Sequence, residues 1–194
     1  MAMRRWFPWL LAVLALMAVA LGDWFYLRWR DHRHDPLIRV AAQRYGVDPA
    51  LVKAVIWKES TFKATARGRA GEIGLMQLRE LAAIEWSTAE KLAAFEMEHL
   101  VDPGTNTLAG TWYLARLLRR YRHTDDPVPY ALADYNAGRT HVLRWIKGNS
   151  AETNSTAFIG QIGFPSTRRY VESVLARRPR YQSEFRGLRI AAAP

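Results

Sequence analysis

The 194-residue sequence predicts a fold that is all-α or predominantly α. Three observations carry this. Apolar residues recur at helical spacing through most of the chain. An Asp-Pro pair opens one segment after another, at Asp48-Pro49, Asp102-Pro103 and Asp126-Pro127. Such a pair starts a helix because the Asp side chain accepts from a free first-turn N–H while proline's fixed φ suits the first helical position. Nowhere is there an alternating apolar-polar run long enough to insist on a strand.

The first element follows "MAMRR". Trp6 to Gly22 carries no charged side chain, and after Asp23 the apolar character resumes as "WFYL". As a helix, Trp6 to Leu27 spans roughly 33 Å at about 1.5 Å per residue, enough for a hydrocarbon core of about 30 Å. Trp6, Trp9, Trp24, Phe25 and Tyr26 sit toward its ends, where amphipathic rings settle at headgroup level. Residues 1–27 therefore read as a transmembrane signal-anchor. A cleavable signal peptide is the competing reading, because "AVA" at Ala18 to Ala20 fits a small-residue cleavage site. A core helix of the globular part fits worst, since the flanking "RR" and "RWR" are hard to bury. Either leading reading sends the remainder across the membrane.

Residues 28–36, "RWRDHRHDP", lack an apolar period and read as a charged linker. A domain over residues 37–180 follows. "LIRVAAQRYG" closes on Gly46, and "DPALVKAVIWKES" opens on Asp48. A polar loop with Gly68, Gly71 and Gly74 leads into "LMQLRELAAIEW", which has helical spacing. "DPGTNTLAGTWYLARLLRRY", "DDPVPYALADYNAG", "HVLRWIKG" and "TRRYVESVLARR" complete the helices. Residues 181–194 read as a tail, with "GLRIAAAP" poorly ordered.

Hydrophobic residues make up 49% of the chain, and 28 Lys+Arg against 18 Asp+Glu give a formal charge of +10. That charge favours an anionic partner: nucleic acid, acidic lipid or anionic polysaccharide. The absence of cysteine removes disulfides, thiolate nucleophiles, cysteine-ligated metals and a lipoprotein anchor. The histidines, His32, His34, His99, His123 and His141, show no close pairing within the domain, so no metal and no cofactor is expected and surface solvation is their default.

One carboxylate stands out in "AVIWKESTF". Val52, Val55 and Ile56 lie seven, four and three positions before Glu59, so Glu59 shares its face with the apolar stripe near the helix's C-terminal end. Desolvation and the negative end of the helix dipole both disfavour its charged form. A carboxyl held protonated near neutrality is what a general acid needs. The plainer reading is a surface pair with Lys63 at i+4. Gln77 brings an amide beside the glycine loop, which lacks the Gly-Lys-Ser/Thr ending of a phosphate loop. Tyr135 and Asn136 end a later helix, an aromatic face and an amide suited to a sugar.

Taken in order, Glu59-Ser60, "GLMQ" at Gly74 to Gln77, "DPGTNTLAGTWYL", "DYNAG" at Asp134 to Gly138 and "STRRYVESVL" resemble the soluble lytic transglycosylase (SLT) domain, which has a goose-type-lysozyme-like fold. The resemblance covers about residues 37–180. It implies that Glu59 is the catalytic acid and base, with Ser60 supporting the site. It implies that Met76 and Gln77 line the cleft, that Tyr135 and Asn136 contact the sugar, and that Tyr170 reaches toward the glutamate. The family's alanines are replaced by Glu72 and Asp134, and its Glu-Thr by Ser166-Thr167. Asp134 reads as solvated on its helix.

The implied substrate is peptidoglycan, cut between N-acetylmuramic acid and N-acetylglucosamine with 1,6-anhydro ends, in the cell envelope. A hydrolytic lysozyme and a non-catalytic wall-binding scaffold of a membrane complex are the alternatives. Nucleic acid is not the expected partner, since the export signal and the absence of a recognised binding motif stand against it.

Overall fold

The computed structural model describes residues 7–148 and 150–186, so Trp6, Arg4, Arg5 and the segment "GLRIAAAP" lie outside the described residues. Two compact units divide between His34 and Asp35. In the first, α1 (Phe7–His32) is one continuous helix whose apolar side chains from Trp9 to Trp29 are exposed. An 18-residue window in it has mean hydropathy 2.1, long and apolar enough to cross a membrane. The charged stretch read as a linker is mostly helical, because Arg28 and Arg33 lay their guanidinium groups over Trp24 and Trp29 one turn earlier. His34 is buried, against the expectation of surface solvation.

The second unit is all-helical: α2 (Asp35–Tyr45), α3 (Pro49–Ser60), α4 (Glu80–Ala89), α5 (Pro103–Arg120), α6 (Pro127–Ala137), α7 (Arg139–Ile146), α8 (Ser155–Gln161) and α9 (Pro165–Arg186). Short 3₁₀ turns sit at Met97–Val101 and Ser150–Glu152. Each Asp-Pro start works as the sequence predicts. Asp48 accepts from the Ala50 N–H at 2.9 Å, Asp102 from Thr105 at 2.7 Å and Asp126 from Val128 at 2.9 Å.

At the centre stands α3, buried from Ala50 through Ile56, packed against α9 and α2. Its Lys53 is fully buried, with Nζ 3.0 Å from Asp35 Oδ2 and 3.0 Å from Glu184 Oε2. Glu184 lies in the segment read as a tail. There α9 runs on through Pro179, although proline removes a helical hydrogen bond. What holds it is tertiary: Tyr181 and Phe185 are buried, and Arg178 and Gln182 both donate to Asp48. Residues 181–186 thus belong to the core.

A second difference concerns residues 75–78, read as helical. They form a tight turn, closed by reciprocal Ile73 and Leu78 backbone hydrogen bonds of 3.0 Å, and α4 begins only at Glu80. The cause is Asn106 on α5, wholly buried, which accepts from Met76 N–H at 2.8 Å and donates to Ile73 O and Leu100 O at 2.8 and 2.9 Å. Gly74 makes this latch possible. Its φ is +81°, and a Cβ there would stand 2.1 Å from Asn106 Nδ2.

Candidate active site

Glu59 lies in the last turn of α3. Val52, Val55 and Ile56, on its face, are fully buried, and the carboxylate continues that stripe to the wall of a cavity of about 400 Å³. The helix stops one residue later, at Ser60, with Thr61 and Phe62 at φ of 50° and 62°. Lys63 is therefore not one helical turn on, and the surface pair read as the plainer alternative loses its geometry. Instead the Tyr170 hydroxyl on α9 donates to Glu59 Oε1 at 2.7 Å.

Burial pushes the Glu59 carboxyl up from 4.5 to about 7. The Tyr170 hydrogen bond opposes this, the charge of Glu72 adds to it, and the Lys58 ammonium opposes it more weakly. Burial and the nearby Glu59 also hold the Tyr170 and Tyr135 phenols well above their ordinary value, so both remain donors. A half-protonated carboxyl near neutrality can give a proton and take one back.

Around Glu59 the cavity is lined by Gln77, Tyr113, Tyr135 and Asn136, among others. Gln77 sits at a φ of +47°, its amide donating to Gly74 O at 2.9 Å and Ala66 O at 3.2 Å, which leaves its carbonyl oxygen for a ligand. Tyr135 donates to Met76 O at 2.7 Å and packs against Tyr113 with ring centroids 5.5 Å apart. Asn136 is exposed and accepts from Thr167 Oγ1 at 2.8 Å.

Met76, expected to line the cleft, and Ser60, expected to support the site, both lie behind the wall. Met76 is wholly buried, its side chain beside Gly110, where a Cβ would stand 2.3 Å from Sδ. Ser60 donates to Leu75 O at 2.8 Å and Ile56 O at 3.2 Å, tying the end of α3 to the turn. Tyr170 likewise reaches Glu59 without lining the cavity. Asp134, expected to be solvated, is buried: Oδ2 takes the Arg120 guanidinium at 2.6 Å and the Tyr121 hydroxyl at 2.8 Å. Arg120 supplies the partner from α5 that a reading of α6 alone could not see.

Asn106, Tyr113 and Arg120 are neighbours of the cavity and its turn to which the sequence analysis gave no part. The one signal available was Asn106 and Gly110 a turn apart on α5, both facing the "GLMQ" turn. Among the described residues no group of three or more His, Cys, Asp or Glu is placed to hold a metal.

The geometry defines a class of site: an all-α domain in which a carboxyl raised to about 7 stands at the wall of an open cavity lined by amide and aromatic groups. The chain belongs to the transglycosylase SLT domain family, whose model matches residues 36–158. Membrane-bound lytic murein transglycosylase F of Desulfosudis oleivorans is 39% identical over 113 residues, 57% of this chain and 23% of that one. Membrane-bound lytic murein transglycosylase C of Pectobacterium atrosepticum is 34% identical over 125 residues, 61% of this chain and 35% of that one. An inactive mutant of the lytic transglycosylase Slt from Pseudomonas aeruginosa superposes with a TM-score of 0.73 at 27% identity, over 80% of this chain and 25% of that one. The chain thus spans about a quarter to a third of the length of these relatives.

Proposed function

We propose that this chain is a peptidoglycan lytic transglycosylase, cleaving the β-1,4 bond between N-acetylmuramic acid and N-acetylglucosamine with 1,6-anhydromuramic acid ends. The observation that carries the reading is Glu59, a buried carboxyl at about 7, hydrogen-bonded to Tyr170 and facing a cleft with amide and aromatic groups. Relatives named as lytic murein transglycosylases support it.

Protonated Glu59 gives its proton to the glycosidic oxygen as the bond from the muramic acid C1 breaks, and the carbon gains positive charge. The resulting carboxylate, held by the Tyr170 hydroxyl, takes the proton from the C6 hydroxyl, whose oxygen closes on C1. Because the attacking group belongs to the substrate, proximity replaces a water nucleophile and no second carboxylate is required. Gln77, Tyr135 and Asn136 contact the sugars. Met76 and Ser60 set the position of the turn that carries Gln77.

The domain spans residues 37–180, extended by the end of α9, and α1 anchors it in the inner membrane with the domain in the periplasm. The basic charge suits an anionic wall or bilayer surface. Digestion of purified sacculi with the full chain in detergent, read by mass spectrometry, tests the reaction. Anhydro ends are expected. Reducing ends alone make it a lysozyme, and intact strands leave a wall-binding scaffold.

A further inference from the structure

Glu72 and Arg79 line the same cavity as Glu59, and the reaction above uses neither. Glu72 is fixed from three sides. Its Oε2 accepts from the Ala70 N–H at 2.9 Å, and its Oε1 lies 3.3 Å from Arg79 Nε. The third side is Gly68, where a Cβ would stand 2.1 Å from Glu72 Oε2, so the carboxylate fills the space a side chain would take. Arg79 immediately precedes α4 with an extended backbone, at φ −92° and ψ 158°, and its side chain is 64% exposed.

A guanidinium carries five N–H donors in a planar fork, and Glu72 engages only the Nε corner. The terminal nitrogens of Arg79 have no protein partner among the described residues. Among the described residues Arg79 is the one cation that lines the cavity, and Asp134, the other ionised carboxylate there besides Glu72, is already matched by Arg120 outside the lining. A cation that is anchored at one corner and open at the other is arranged for a planar anion.

We infer that Arg79, positioned by Glu72, binds a carboxylate carried by the glycan strand. This rests on the peptidoglycan reading above and names the feature of the strand that the cleft selects. Two sources share that chemistry: the lactyl group of a bare muramic acid and the acidic residues of a stem peptide. A neutral strand offers neither.

Binding and cleavage separate this inference from the reading beneath it. Binding is measured by co-sedimentation of the full chain in detergent, in the Glu59→Gln background so that strands survive. The probes are peptide-bearing uncrosslinked strands, bare strands stripped by an amidase, and both after conversion of their carboxylates to methylamides. Arg79→Gln is expected to weaken binding to at least one carboxylated strand by about tenfold and to leave the methylamides unchanged. Loss on bare strands alone identifies the lactyl group, loss on peptide-bearing strands alone the stem peptide, and loss on both the shared chemistry. Glu72→Gln weakens the same strand less, and Arg79→Lys restores only part.

Equal loss on carboxylated and neutralised strands, or no loss on any, overturns the inference. Because Arg79 is exposed, its variants should melt with the parent, which removes misfolding as a cause. Arg79-dependent binding in a chain whose Glu59 form cleaves nothing upholds the inference and sinks the reaction. Cleavage with Arg79-independent binding does the reverse, and a chain that binds no strand loses both.

Discussion

Helix α3 buries two ionisable side chains, six positions apart, and treats them in opposite ways. Lys53, fully buried, is matched by Asp35 and Glu184, and stands over the rings of Tyr181 and Phe185 at 4.9 and 5.5 Å. Glu59 receives one neutral phenol and, among the described residues, forms no ion pair. The first arrangement keeps a charge inside by compensating it, which is what a structural ion needs. The second leaves the charge uncompensated, so the carboxyl keeps its proton up to about neutral pH. Burial alone does not make a group a candidate for proton transfer; burial without a counter-ion, beside a cleft, does.

The largest expected effect follows from that contrast. Glu59→Gln keeps the volume and the Tyr170 contact but abolishes proton transfer, so turnover of sacculi should fall by about 10²–10⁴-fold with binding retained. Full activity in this variant would remove Glu59 from the mechanism.

At the other end the loss should appear in folding. Lys53→Met removes the fully buried ammonium that Asp35 and Glu184 share, with an expected cost of about 3 kcal/mol in urea unfolding. Adding Asp35→Asn and Glu184→Gln should recover part of it, because the two carboxylates no longer face each other without the ammonium between them. A single variant as stable as the parent would show that the triad is open to water. The folded fraction should retain the pH dependence of Glu59 cleavage.

The same contrast explains what could be read from the sequence. Helix starts were legible because Asp-Pro capping is local: Asp48, Asp102 and Asp126 act on N–H groups two or three residues away. The inward face of Glu59 was legible because helical periodicity fixes it, and the family resemblance named the residues across the cleft. What escaped depended on partners distant in sequence. Asn106 latches Ile73, Met76 and Leu100, and so converts "LMQL" from a helical pattern into a turn. Asp134 is paired from another helix, and α9 outlasts Pro179 because Asp48 and Lys53 hold its far end. Periodicity reports which face is apolar but is silent on what meets it.

A smaller effect concerns pH. Glu59 binds its proton more tightly in the fold, at about 7 against 4.5 unfolded. Between these values the native state holds more protons than the unfolded chain, so stability falls as pH rises from about 4.5 to 7. The full difference amounts to about 3 kcal/mol. Glu59→Gln lacks this slope. Its melting temperature should match the parent near pH 4 and exceed it at pH 8, and parallel curves across that range would mean that the carboxyl is not raised.

The smallest change sharpens the comparison at one atom. The Tyr170 hydroxyl stabilises the Glu59 carboxylate, so it acts as a weak neutral substitute for the counter-ions around Lys53. Tyr170→Phe removes it and leaves the ring in its buried seat. The Glu59 carboxyl should then rise further, moving the alkaline limb of the activity profile to higher pH, because the acid form persists longer. Maximal turnover should nevertheless fall by about tenfold, since the carboxylate formed after the first step loses its hydrogen bond. Those two shifts oppose each other above neutrality, which a merely structural tyrosine would not produce. An alkaline limb that stays in place, or moves down, would show that the phenol does not govern the proton on Glu59.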